Sequence, residues 1–486
     1  MEQTADSTQS QYSYNAQRDD DAELDQNNEQ DPQFIGTDTY QEQPDQPITQ
    51  TDPIEIAKVE EPDDQELNDN PYIMSRSIPV GPYSFVDFRQ PYEQKSPPPK
   101  YFSDELLLTP LPTKKDEILR GLEEQKHGGL VCTDQEAMDR QRGVLMNVVK
   151  QLTVNLFKGL TITHISLPIK IFEPRSSIQR IVDMWSFGPK FLRQAADTTD
   201  HLERFRQVIA FAMSGLYICS SQYKPFNPIL GETLQGEFND GTQIYCEHTS
   251  HHPPITNFHM QPQDKSFNFY GYYEFTANMG ANSLKSGLRG PNNIVFADGQ
   301  HIRFRTPDFL LGGTVMGDRT IEAAGNVFFE DLTNNYKAVV ILSTYKKSGF
   351  FKKSESGKRD QFTGIIYHCK PIEDPVKSAK KLYSKHAIEI SDLNKIKDMV
   401  KPIGDINGSF LYNMTICGKK YWDIDTDVPE RFKPVLRYVA PSDWRYREDL
   451  IWLKYNYMKI AAQWKVRMEE QQRHDRRLRQ KQKDKK

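Results

Sequence analysis

The sequence predicts a β-rich α+β fold carried behind a long acidic tail, and three observations predict it. Residues 1–70 hold 20 acidic residues against two basic ones, with twelve glutamines; such a stretch lacks the apolar surface to bury a core. From Lys114 to Tyr217 apolar residues recur at helical spacing. In the β-rich body, aromatic and β-branched runs alternate with turn residues over about 150 residues.

Taken in order, residues 1–112 are expected to be disordered, first acidic and Gln-rich, then Pro-rich around "SPPPKYFSDELLLTPLP". Residues 113–142 read as a helical lead-in: "KKDEILRGLEEQKHGG" is helix-like and stops at Gly128 and Gly129. A second helix-like stretch, "VLMNVVKQLTVNLFKG", is apolar over most of its circumference. Two more follow, "SSIQRIVDMWSFGPKFL" and "TTDHLERFRQVIAFAMSGLY", the last with Thr198, Thr199 or Asp200 as its cap. Strands are predicted in "SFNFYGYYEFTAN", "IVFADGQHIRFRT", "YKAVVILSTY" and "FTGIIYHC", with turns at Asp298-Gly299 and Asn334-Asn335. Many short strands in one region predict a large antiparallel sheet or barrel. The segment 443–486 contains no Pro or Gly and reads as helix, and its last 14 residues hold eight basic against two acidic side chains.

The formal net charge of −5 averages two unlike parts. Residues 71–486 hold 60 basic and 47 acidic residues, a net of +13, so the body is the part suited to an anionic partner. Cysteines 132, 219, 246, 369 and 417 form no CxxC pair, which points to free thiols in a reducing compartment. The N-terminus has no apolar h-region, and no run approaches the ~18 apolar residues that cross a bilayer. The expected location is therefore cytoplasmic. The motifs GxxxxGK[ST], GxGxxG, HExxH and GxSxG are missing, so no enzyme activity, catalytic residue or cofactor is assigned, and no nucleic-acid partner is expected.

The segment "CEHTSHHPPITNF" raises the functional question. His251 and His252 with His248 and Cys246 suggest metal ligands, but no fourth ligand is near in sequence. They read as catalytic bases only with a nucleophile, and Ser250 beside them is no evidence of one. A third reading is anion binding: Pro253 and Pro254 disfavour helical backbone before them and hold the imidazoles in a stiff, extended segment. Imidazole and a phosphate monoester titrate near 6.5 and near 6, so each favours the other's charged form. A loop whose histidines merely cap a strand end is the remaining alternative.

Two further segments carry suitable groups. "YKPFNPILGETLQGEF" offers the Lys224 ammonium and the Asn227 amide beside prolines, or else is a plain turn into a strand. In "WKVRMEEQQRHDRR", Lys465, Glu469 and Arg473 fall within an ~80° arc of a helix, two cations about a carboxylate. An exposed i,i+4 ion-pair ladder gives the same pattern.

Together these segments resemble the lipid-binding domain of the oxysterol-binding protein-related family, whose fingerprint reads approximately EQVSHHPP where this chain has Glu247 to Pro254. "KPFNPILGE", Lys224 to Glu232, is similar to the family's K-P-x-N-P-x-L-G-E element. Lys465, Glu469, Gln472 and Arg473 are similar to its K-xxx-E-xxx-QR pattern, and "LTITHISLPIKIFEPRSSIQRI" resembles the start of its core. His248 and Thr249 depart from the family's Gln and Val, and His248 is given no role.

The resemblance implies that 143–486 is a large incomplete antiparallel β-barrel enclosing a lipid tunnel, with flanking helices and an N-terminal lid. The lid corresponds to about 143–158, with Val144, Leu145, Val148, Val149, Leu152 and Phe157 facing lipid, although they suit a core helix equally. It further implies a short form without an evident pleckstrin-homology domain. Carried over by position, Lys224, Asn227, Glu232, His251, His252, Lys465, Glu469 and Arg473 would hold the headgroup of phosphatidylinositol 4-phosphate, without a metal. Glu232 and Glu469 would accept from inositol hydroxyls or orient the cations. The expected function is lipid transfer, exchanging that lipid for a second one, with sterol favoured over phosphatidylserine. A lipid-loaded sensor that recruits partners is the alternative. Peripheral contact with anionic membranes follows from the basic body. "KYFSDEL", Lys100 to Leu106, loosely resembles a motif that binds an endoplasmic-reticulum receptor, though its upstream flank is not acidic.

Overall fold

The computed structural model describes residues 120–141, 167–220, 223–280, 282–314, 316–343, 346–347, 355–382, 393–394, 400–435 and 439–483. All belong to the unit Glu61–Lys486. The expectations for the tail 1–112, including Lys100 to Leu106, and for the lid 143–158 with Val144, Leu145, Val148, Val149, Leu152 and Phe157, lie outside the described residues.

The lead-in differs from its helical prediction. Residues Leu122–Glu124 (β1) and Leu130–Cys132 (β2) form an antiparallel hairpin, and β2 also pairs with Thr320 and Ile321. Gly128 and Gly129 close the turn at φ +70° and +78°, a conformation that costs little for glycine alone. A Cβ on Gly128 would sit 2.1 Å from Asp360 Oδ1, and Gly129 N donates to that oxygen at 3.0 Å. Pairing with a strand nearly 190 positions away thus overrides a local helical pattern. Helix appears only after it, at 135–141.

Next come β3 (Phe172–Ser176), α1 (Ser177–Asp183), α2 (Gly188–Asp197) and α3 (His201–Ser214). Ser176 and Gln179 form a capping box on α1, and of the three candidate caps for α3 it is Asp200 that accepts from Leu202 N and Glu203 N. The short strand β4 (Lys224–Phe226) pairs with β3 in parallel.

The sheet then runs through β5 (Thr233–Glu237), β6 (Gln243–His251), β7 (Pro254–Gln261), β8 (Phe267–Met279), β9 (Ser283–Arg289), β10 (Asn292–Phe296), β11 (His301–Phe304), β12 (Asp308–Gly312), β13 (Thr320–Ala324), β14 (Asn326–Asp331) and β15 (Tyr336–Leu342). After a separate two-residue pair, β16 (Lys346–Lys347) with β17 (Glu355–Ser356), come β18 (Gln361–His368), α4 (Pro375–Leu382), β19 (Pro402–Ser409), β20 (Asn413–Ile416), β21 (Lys419–Asp423) and β22 (Lys433–Pro434). The four predicted strand segments are β8, β10 with β11, β15 and β18.

Eighteen strands join in one sheet. Its main run is β22-β5-β6-β7-β8-β10-β11-β14-β15-β18-β19-β20-β21, antiparallel throughout. The 13-residue β8 is long enough to pair on one edge with both β10 and β9, and from β9 a branch continues through β12, β13, β2 and β1.

The sheet curls into a barrel around α1–α3. In a flat sheet β7 and β21 would stand nine strand spacings, roughly 43 Å, apart. Yet Phe187 meets Trp422 of β21 at 5.9 Å between rings, while the Cβ position of its neighbour Gly188 lies 3.2 Å from Met260 Cε of β7. Trp185 packs on Phe258 and Phe269, and Phe211 sets its edge to Phe269. These rings are almost fully buried, and each contributes about 1.5–3 kcal/mol by leaving water.

The C-terminal segment is two helices, not one from 443. Asp443 caps a 3₁₀ turn at Trp444–Tyr446, α5 spans Glu448–Lys454, and α6 spans Met458–Lys483. Asn456, at φ +67°, breaks the run; asparagine adopts left-handed backbone more readily than most residues. Among the described residues no helix is long and apolar enough to cross a membrane.

Candidate functional site

The fold converges the three basic segments. The turn before β5 reverses at Gly231, φ +82°, and is tied to β6: Gly231 N donates to His248 O at 2.8 Å and His248 N to Glu232 O at 2.9 Å. The KPFNP and HTSHH segments are therefore neighbours by backbone bonding. At the end of β6 the chain does not stay extended as predicted but reverses at His252-Pro253, whose peptide is cis, with His251 paired to Pro254. The helix α6 supplies the third wall.

Phe172 is the floor. The Lys224 ammonium lies 4.9 Å from its ring centroid and the Lys465 ammonium 5.5 Å, attracted by the negative ring face. Lys224 Nζ donates to Asn227 Oδ1 at 2.6 Å, and Lys465 Nζ to Glu469 Oε1 at 2.5 Å. Arg473 Nη2 reaches the other oxygen of Glu469 at 3.3 Å. Burial and the nearby Lys465 and Arg447 cations push Lys224 down to about 7, so its ammonium is held at a cost that an anion would relieve.

His251 stands against His252 with rings 4.8 Å apart. Burial, then His252 and Arg476, lower His251 to about 4, opposed by Glu469. Charges on α6 therefore act on the hairpin imidazole. On α6 Lys465 is buried, while Arg473, Arg476 and Arg479 further along the helix are exposed, as is His252 on the hairpin.

Glu232 differs from the other predicted residues. It is 3% exposed and its carboxylate is committed to the protein: Oε1 accepts from the Ser176 hydroxyl, Oε2 from Ile229 N and from Arg447 Nη1, each of the last two at 2.9 and 2.8 Å. Burial still raises its carboxyl above the usual range despite Arg447. Arg447 also donates to Asn227 O and clasps Asp449 through two bonds of 3.0 and 2.7 Å. Burial opposes its charge, but Asp449 and Glu232 outweigh that and hold it above its ordinary value.

Sequence reasoning missed Arg447, Phe172, Arg476 and Arg479. Arg447 carries no motif and acts through tertiary bonds. The other two arginines were detectable: at 100° per residue they fall at about +20° and −40° from Lys465, on the same helix face. His248, given no role, is fully buried and bonds Thr256 Oγ1 through Nδ1 at 3.0 Å and His251 Nδ1 through Nε2 at 3.2 Å. Among the described residues no group of three His, Cys, Asp or Glu side chains is placed to hold a metal ion.

A pH effect on stability follows. Burial, His251 and Arg447 lower His248 to about 3, so both imidazoles fold neutral but bind protons near 6.5 when unfolded. Their contribution is intact above about pH 6.5 and is lost as pH falls toward 4. Urea midpoints should fall over that window, and less steeply in His251→Ala; an equal slope in the variant would contradict this.

Comparison with known proteins gives the same fold. A family model described as oxysterol-binding protein matches residues 147–486. Oxysterol-binding protein 9 of Dictyostelium discoideum is 31% identical over 369 residues, 74% of this chain and 81% of that protein. Human oxysterol-binding protein-related protein 6 is 26% identical over 364 residues, 72% of this chain and 36% of the longer human one. Among solved structures, the Osh3 ORD of Saccharomyces cerevisiae in complex with PI(4)P aligns at TM-score 0.52 and 21% identity, covering 68% of this chain and 84% of that one. The Osh1 ORD domain in complex with ergosterol aligns at 0.50 and 18%, covering 66% and 77%. The chain belongs to the oxysterol-binding protein family.

Proposed function

We propose that this chain binds phosphatidylinositol 4-phosphate at the Phe172 site and exchanges it between membranes for a second lipid, with sterol favoured. The observation that carries the reading is the partly desolvated Lys224 ammonium, held beside Lys465 and donating to two neutral acceptors, the Pro225 carbonyl and the Asn227 amide oxygen. Such a cation favours a phosphate dianion, and charge-assisted bonds are about twice as strong as neutral ones. Lys224, Lys465, His251 and His252 take the phosphate, and Arg473 adds charge at the rim. Asn227 and Glu469 meet the inositol hydroxyls. Glu232, through Arg447, positions the Asn227 backbone. The ligands named in the Osh3 and Osh1 structures, PI(4)P in one and ergosterol in the other, support a phosphoinositide and a sterol as the two cargoes.

The mechanism makes no covalent bond. Acyl chains or a sterol enter the barrel, and each buried CH₂ contributes about 0.8 kcal/mol, which makes a lipid carried through water tolerable. The basic face of α6 favours anionic leaflets, so vesicle binding weakens with salt.

A two-liposome assay with separate probes for phosphatidylinositol 4-phosphate and sterol tests the reading. Transfer of both, with sterol movement accelerated by an opposing phosphoinositide gradient, is the expected result. Stoichiometric binding without transfer of either lipid would replace it with the sensor reading.

A further inference from the structure

We infer that His248 is a positioning residue that holds neutral His251 in the tautomer protonated on Nε2, so that His251 presents an N–H donor to an incoming phosphate. This rests on the proposed headgroup role of His251. The geometry begins in the backbone. Side chains of a regular strand alternate between faces, so residues three apart point oppositely. The pairing of β6 with β7 shifts between His248 and Ser250, and this irregularity brings the His251 ring back to the side of His248. The two rings then stand edge to face with centroids 5.5 Å apart.

Hydrogen-bond bookkeeping does the rest. His248 is fully buried, and both its ring nitrogens are engaged, Nδ1 with the equally buried Thr256 hydroxyl and Nε2 with His251 Nδ1. A neutral imidazole donates from one nitrogen and accepts at the other. A hydroxyl can do either. If Thr256 donates to His248 Nδ1, then His248 Nε2–H donates to His251 Nδ1, and the proton of neutral His251 must reside on Nε2. The reverse chain would leave a lone pair on Nε2 facing the phosphate.

An anionic acceptor in front of the outward nitrogen favours the first arrangement. The groups acting on His251 are His252 on the hairpin and Glu469, Arg476 and Arg479 on α6; those acting on His248 are His251 and Arg447. Glu469 favours a proton on the outward nitrogen, Arg476 and Arg479 oppose it, and an arriving phosphate offsets those two cations and accepts from that N–H. The Arg447 cation disfavours charging His248, which keeps the relay neutral. When His251 itself takes up a proton, its Nδ1–H donates to His248 Nε2, so neutral His248 must then carry its own proton on Nδ1 with Thr256 accepting, and His251 Nε2–H is unchanged.

Nitrogen chemical shifts of ¹⁵N-histidine-labelled full-length protein, without lipid at pH 7.5, read the tautomer; His251→Ala identifies the resonances. A proton on Nε2 in the wild type is expected, and a proton on Nδ1 overturns the inference whatever the variants do. In His248→Leu the tautomers should mix and extraction of phosphatidylinositol 4-phosphate from vesicles should weaken roughly tenfold. His248→Gln, which keeps a donor and an acceptor, should recover most of that loss. An unchanged tautomer in folded His248→Leu would also overturn the inference. Failure of the wild type to extract the lipid would instead refute the function proposed above, leaving the tautomer result to stand by itself.

Discussion

Replacing Arg447 with alanine is expected to destabilise the fold by about 3–5 kcal/mol, the cost of breaking a buried ion pair from one side. The guanidinium satisfies Glu232, Asp449 and the Asn227 carbonyl together, and all three carboxylate and guanidinium side chains are buried. Removing it leaves two carboxylates facing the interior, and Glu232, already above its usual range, would fold protonated. Arg447→Lys is also expected to be destabilising, because an ammonium cannot reproduce the fork that grips Asp449 while reaching Glu232. Urea unfolding measures the loss. A midpoint within error of the wild type would show that this network carries no stability.

Lys224→Met is expected to do the opposite to stability while removing function. The methionine keeps much of the apolar stem over Phe172 and discards a charge that burial and two cations disfavour. The unfolding midpoint should therefore rise. Affinity for phosphatidylinositol 4-phosphate should fall about 10- to 100-fold, the worth of a bond to a charged group. Lipid binding should also take up protons near neutral pH in the wild type, since phosphate restores the ammonium, and less so in the variant. A variant that is both less stable and unaltered in affinity would remove Lys224 from the site.

The legibility of this chain follows the range of its interactions. β8 and β18 were visible because aromatic and β-branched residues crowd a pleated surface, and the face of α6 was visible because helical spacing is a local rule. The hairpin of β1 and β2 was not, since its strands are three residues long and gain their partner from β13. Arg447 was equally hidden: the residues it joins lie up to 220 positions away. The HTSHH segment was legible as a stiff stretch but not as a turn, because prolines signal restricted backbone without saying where the chain reverses. The role of His248 needed the strand irregularity, which no spacing in the sequence announces.

Central to the proposed function is a phosphate monoester held by the cations over Phe172. Extraction from vesicles, compared for phosphatidylinositol 4-phosphate and for phosphatidylinositol with the same acyl chains, isolates that one group. About one molecule of the phosphorylated lipid per protein is expected, and little of the other. Equal extraction of both would contradict it, because the acyl chains alone would then account for binding.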